Sequence, residues 1–188
     1  MATTRPERLH FTGDDRADEL IAREPLALLI GFVLDQQVPL QRAFAAPLEL
    51  ERRIGTLDAE RLAGMDPAEL EEAFRRKPAL HRFPGNMAGR VQDLCATVVE
   101  DYGGRAENVW LSADDADHLR KNISSLPGFG EMKVKALGSV LAKRFGLAAA
   151  QGLVPSHPTL GDIDSPEALE RFQEAKRAYK ARLRAQSQ

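Results

Sequence analysis

The stretch Leu126-Pro127-Gly128-Phe129-Gly130-Glu131-Met132-Lys133-Val134-Lys135 decides how the rest of the chain is read. Pro127 lacks an N–H and ends the helix before it. Gly128 and Gly130, one residue apart, permit a tight reversal with positive φ. The next helix starts at once, so its unpaired N–H groups and positive dipole end point out of the turn beside those of the two glycines. Backbone donors grouped in this way form an anion site, and a nucleic-acid phosphate is a natural occupant. Phe129, between the glycines, is placed to anchor the turn in the core, and Lys133 and Lys135 add charge one turn further on. Taken by itself, a Gly-x-Gly of this kind also fits an ordinary helix corner.

Outward from this hairpin the chain reads as helix. Alternating apolar–polar runs rich in Val, Ile and aromatics are scarce, whereas helical spacing recurs throughout. A short polar helix begins near Asp14. Pro25 then opens a run with Leu26, Leu29, Ile30, Val33 and Leu34 that is apolar nearly all round, hence central and buried. An amphipathic helix runs from Pro39 to a stop at Gly55. Asp58 and Asp66 are N-caps of two short helices, and a longer one runs from Gly85 to Gly103-Gly104. Helices over about 113–125 and 131–144 flank the hairpin, residues 147–162 read as loop, and a charged helix starts at Ser165-Pro166. The expectation is an all-α, two-lobed chain of about nine or ten helices: one domain over 1–165, with the hairpin at 115–145, then a basic helix over 166–188.

Composition removes several classes. Of the 188 residues, 43% are hydrophobic and 29% charged, a globular balance. The longest uncharged apolar run, Pro25 to Leu34, is ten residues, about half of a bilayer crossing. The N-terminal stretch Met1 to Arg8 lacks the apolar core of a secretory signal. Cys95 is the only cysteine, which excludes a disulfide framework and any four-cysteine zinc site or iron–sulfur cluster within one chain. The four histidines are too dispersed for metal-ligand spacing, so no metal is expected. A cytoplasmic, nucleoid-associated monomer follows as the expected setting. The net charge of −2 is unevenly spread: residues 171–188 carry six basic residues and one acid, +5 in all, leaving −7 for the rest. Local field, not net charge, is what a phosphate feels.

Helix, Leu-Pro-Gly-apolar-Gly, helix resembles the helix-hairpin-helix (HhH-GPD) superfamily of base-excision DNA glycosylases, with the nearest likeness to a branch of actinobacterial type. The resemblance extends upstream. Gly31-Phe32-Val33-Leu34-Asp35-Gln36-Gln37-Val38 looks like the family's early helix, which ends in a glutamine-bearing segment beside the lesion, and Phe83 to Val91 resembles the helix one element before the hairpin pair. The resemblance implies a double-stranded DNA partner with a damaged or modified base, which is turned out of the stack into a pocket. It also implies a carboxylate that stabilises an oxocarbenium-like sugar and positions water. No cofactor is implied, although the hairpin could seat a monovalent cation.

Two departures from the family pattern matter. Bifunctional members carry a nucleophilic lysine two residues after the second hairpin glycine; here that slot holds Met132. Lys133 comes one later, and a shift of about 100° around the helix is expected to aim it away from the pocket. The resemblance then implies a monofunctional glycosylase without strand cleavage. Family members also carry an aspartate in a Val-Asp-Thr-His type of segment, where this chain reads Val154-Pro155-Ser156-His157. Asp35, Asp162 and Asp164 are the alternative candidates for the acid; Asp162 and Asp164 also fit capping of the last helix, and Asp35 fits a helix-end polar group. Gln36, Gln37 and Met132 are candidates for the base pocket or for insertion into DNA, and Gly128, Phe129, Gly130, Lys133 and Lys135 for gripping it. His81-Arg82 reads as a solvated loop. A non-catalytic DNA-binding or damage-recognition protein that has lost the acid is the alternative reading, and a helical interaction protein a third.

Overall fold

The computed structural model describes residues 4–187, so Met1–Thr3, the start of the N-terminal stretch, and Gln188 lie outside it. Ten α-helices and two 3-10 turns make up the regular structure, with no strand among the described residues. In order they are α1 (Asp15–Arg23), α2 (Pro25–Leu34), α3 (Leu40–Ile54), α4 (Ala59–Ala63), α5 (Pro67–Arg75), α6 (Pro84–Tyr102), α7 (Asn108–Leu111), α8 (Ala116–Ser124), α9 (Glu131–Lys143) and α10 (Pro166–Gln186). The 3-10 turns, Ala148–Leu153 and Leu160–Asp162, lie between α9 and α10. The all-α expectation holds.

Local chemistry sets the boundaries. Asp14, Asp58 and Asp66 cap α1, α4 and α5, each accepting from a backbone N–H of the first turn. The helix expected from about 113 is shorter, because Asp115 accepts from the His118 N–H at 2.8 Å and starts α8 there. Asp164 does not cap α10. Ser165 does, its Oγ accepting from Ala168 N–H at 3.1 Å, while Asp164 is exposed.

Nine of the ten residues of α2 are buried, so this helix is the axis of the fold. It packs against α1, α3 and α6; α6 packs in turn on α4 and α5, and α9 rests on α8 and both 3-10 turns. The apolar side chains form one continuous core across these groups. Phe32 and Phe44 meet edge to face at 5.2 Å, and Phe44 meets Phe11 in the same way at 5.1 Å, tying α2 and α3 to the N-terminal segment. Arg53 ties α3 to the end of α5. Its nearly buried guanidinium donates to the carbonyls of Ala73, Arg76 and Pro78 at 2.7–2.8 Å, fixing the loop that leads to His81.

Candidate functional site: the hairpin and the end of the central helix

The turn between α8 and α9 closes through the Phe129 N–H, which donates to the Leu126 carbonyl at 3.2 Å. Gly128 has φ +84, a conformation that residues with a Cβ resist. Gly130 is different. Its φ is −83, which any residue adopts, and a Cβ built there meets nothing within 4 Å. Both glycines are exposed. Gly130 is the N-cap of α9 and has no side chain to cap it, so the N–H groups of the first turn stay open to an external acceptor. Glu131 in that turn would repel an anion, but Arg120 of α8 binds it at 2.8 Å and Lys135 lies 3.7 Å away.

Phe129 is buried, and its ring lies 6.2 Å from that of Phe32 in α2. This contact brings the hairpin beside the end of the central helix, where the chain reads Asp35-Gln36-Gln37. Asp35 is the C-cap of α2 and half-buried. Burial holds its carboxyl above the usual range, opposed by the charges of Lys176 and Lys133. Among the described residues no group donates a hydrogen bond to it.

Lys133 is the correction the structure makes to the sequence reading. It is half-buried, its ammonium lies 6.0 Å from the Phe129 ring centre, and it shares a field with Asp35. Burial pushes its pKa down, with the Asp35 carboxylate opposing and Arg90 adding to the shift. Of the two neighbours it is Lys133, not Met132, that is half-buried, with its ammonium on the Phe129 side of α9. Met132 is 86% exposed.

His81 is the second correction. It is no solvated residue: only 1% of it is exposed. The Phe83 N–H donates to Nδ1 at 3.0 Å, so Nδ1 is unprotonated and the proton sits on Nε2. Nε2–H then faces the carbonyls of Leu34 and Gln36, at 3.1 and 3.0 Å, on either side of Asp35. Burial lowers the His81 pKa, those two carbonyls opposing it, so the ring is held neutral. The two glutamines differ as well. Gln36 is pinned, donating to the Val33 carbonyl at 3.1 Å and accepting from Arg90 at 3.2 Å. Gln37 is exposed and has a left-handed backbone, φ +58, which glutamine adopts only at a cost. Phe83, 41% exposed with Arg82 stacked 5.3 Å from its centre, adds an aromatic surface that the sequence did not flag.

Of the other two candidate acids, Asp164 is exposed and Asp162 is employed elsewhere. Asp162 accepts from Lys143 and from the Thr159 N–H, in a capping box that closes the second 3-10 turn. Burial would raise its pKa, but these bonds and the charges of Lys143 and Arg144 bring it below the usual range. Val154-Pro155-Ser156-His157 lies in the connection between the two 3-10 turns, with Ser156 and His157 exposed. Two surface hollows, one between α1 and α3 and one between α6, α7 and α8, contain none of the residues grouped around Asp35. Cys95 is buried, its thiol pushed up to about 12 by desolvation and by Asp58.

A hairpin with uncapped backbone donors, set beside a half-buried carboxylate, is thus assembled within residues 32–133. A family model described as HhH-GPD superfamily base excision DNA repair protein matches residues 30–178, which include all of this, and the chain belongs to that family. Neither the curated proteins nor the solved structures gave a match.

Proposed function

We propose that the protein is a DNA N-glycosylase that uses Asp35 as its carboxylate and the Gly128–Gly130 turn as its grip on the strand. The observation that carries this reading is the half-buried Asp35 at the end of the central helix, beside which the Phe129–Phe32 contact sets the hairpin. A phosphate on the hairpin fixes the strand; the damaged nucleotide turns out beside Asp35, and Gln37 enters the gap it leaves. As the C1′–N bond breaks, its electron pair leaves with the base and the sugar becomes oxocarbenium-like, which the carboxylate stabilises. Water adds to C1′, and its proton passes through Asp35 to the departing base. The strand stays intact with an abasic site.

The test is incubation with duplexes carrying one alkylated or one deaminated base, followed by hot alkali. Strand breaks only after alkali, lost in Asp35→Asn, support the reading. Binding of such duplexes without release of base from any of them favours the non-catalytic DNA-binding alternative.

One observation favours a second reading of the same site. Lys133 brings an amine of lowered pKa to the side where Asp35 stands. If the neutral amine displaces the base at C1′, the bond pair leaves with the base, which takes up the proton the amine loses. The ring then opens to a Schiff base, and elimination of the 3′-phosphate from it cleaves the strand. Borohydride reduces such an imine to a stable adduct. An adduct absent in Lys133→Gln supports this reading; no adduct beside measurable base release supports hydrolysis.

A further inference from the structure

The C-terminal helix is packed at one end only. Ala168 and Leu169 are buried and Phe172 is partly so, but every residue from Glu174 to Ser187 is exposed. The helix from Glu174 to Gln186 stands about 20 Å out from the body at 1.5 Å per residue. A segment of that length is marginal as an isolated helix, and here no tertiary packing supports it.

Its charges are ordered. Lys176, Lys180 and Arg184 recur every four residues, one above another on a single face, and Arg177 lies beside them. Glu174 is the only acid in the exposed part, and it lies off that face. The stripe begins one turn past the last packed residues of the helix, Leu169 and Phe172, and leads outward from the body. Its first residue, Lys176, opposes the upward shift of the Asp35 carboxyl, so the two groups share a field. Successive cations along it are about 6 Å apart, close enough for each to meet a different phosphate of a strand.

We propose that the exposed half of α10 is a second DNA contact, in which Lys176, Lys180 and Arg184 run along the phosphate backbone next to the nucleotide held at Asp35. The inference rests on the glycosylase reading for the position of the strand. It gives a chain of net charge −2 the local positive field that a polyanion requires. It carries no base information, so it adds affinity without sequence preference.

The experiment uses the full chain and an undamaged duplex of about two helical turns, with affinity measured across a salt series. Lys180→Gln with Arg184→Gln removes two cations from a solvated helix, and Lys180→Glu with Arg184→Glu reverses them. Far-UV circular dichroism and melting check that each variant is folded. The neutral pair should weaken binding about tenfold and lower the log–log salt slope by about two, the reversed pair more. Gly130→Ala serves as the hairpin control. Unchanged affinity and slope in both α10 variants, with Gly130→Ala weakened, overturns the second contact and leaves the hairpin reading standing. A wild-type protein that binds no duplex overturns both. Concentration-dependent self-association abolished by Tyr179→Ser with Leu183→Ser, or binding to anionic phosphatidylserine vesicles in place of DNA, also overturns it.

Discussion

The ring centres of Phe129 at the tip of the hairpin and Phe32 in the central helix lie 6.2 Å apart, and this contact sets the hairpin turn beside the end of the helix that carries Asp35. Phe129→Ala should cost about 3–4 kcal/mol, as expected for a buried aromatic truncated in a packed core. Urea unfolding gives the stability, and DNA titration of the folded fraction should show weakened binding, because the turn loses its anchor. Wild-type binding by the folded fraction would mean that the hairpin is positioned by α8 and α9 alone.

The two hairpin glycines should respond differently. Gly128→Ala forces a Cβ into a left-handed conformation and should lose about 1–2 kcal/mol. Gly130→Ala meets no clash and no φ penalty, so its melting temperature should stay near wild type while its DNA affinity falls. That separation of stability from binding is what a position kept bare for an approaching phosphate predicts. Equal losses of stability in both would point to a purely structural corner.

Much of this was legible beforehand, for reasons that differ between residues. Asp14, Asp58, Asp66 and the Leu-Pro-Gly-Phe-Gly turn act through bonds to near neighbours, so their roles follow from local sequence. The run Leu26 to Leu34 is apolar on every side and could only be central. The orientation of Lys133 was not legible, because it depends on how α9 rotates against α2, and one residue of phase moves a side chain about 100°. His81 was hidden for a related reason: its partners are 45 and 47 residues away, and nothing near it in sequence marks it as buried.

Gln37 should show a trade between stability and function. Its backbone sits at φ +58, where glycine is unstrained, so Gln37→Gly should raise stability by about 1 kcal/mol. If the exposed amide fills the gap left by the extruded nucleotide, the same change should slow base release. Gln36→Ala should behave otherwise, breaking the bonds to Val33 and Arg90 and loosening the segment. A Gln37→Gly variant that is stabilised and fully active would remove Gln37 from the insertion role.

The carboxylates can be ranked by the same logic. Asp35→Asn should reduce base release about a hundredfold or more with little change in melting, since no hydrogen bond reaches its carboxylate among the described residues. Asp162→Asn should do the reverse. It removes the charged partner of Lys143 and weakens the capping box, while leaving the chemistry in place. Activity that survives Asp35→Asn and disappears in Asp162→Asn would transfer the catalytic role to the loop.

His81 should set a limit on acid stability, and its sign follows from its hydrogen bonds. The Phe83 N–H points at Nδ1, so a second ring proton there would set one donor against another. The folded state therefore holds the ring neutral and its pKa below the ordinary 6.5, burial being the main cause. Unfolded chains bind the proton more readily, so the stabilisation from the neutral clamp is complete above about pH 6.5. It is lost as pH falls from there through the lowered folded value. Melting followed from pH 8 to pH 5 should fall more steeply for wild type than for His81→Gln, which keeps a donor for the carbonyls of Leu34 and Gln36 but cannot titrate. If the clamp also positions Asp35, His81→Gln should retain more base release than His81→Ala at pH 8, where neither variant nor wild type carries a charged ring. Equal activity of the two variants would confine His81 to a packing role, and identical pH profiles for wild type and His81→Gln would show that the ring does not resist protonation.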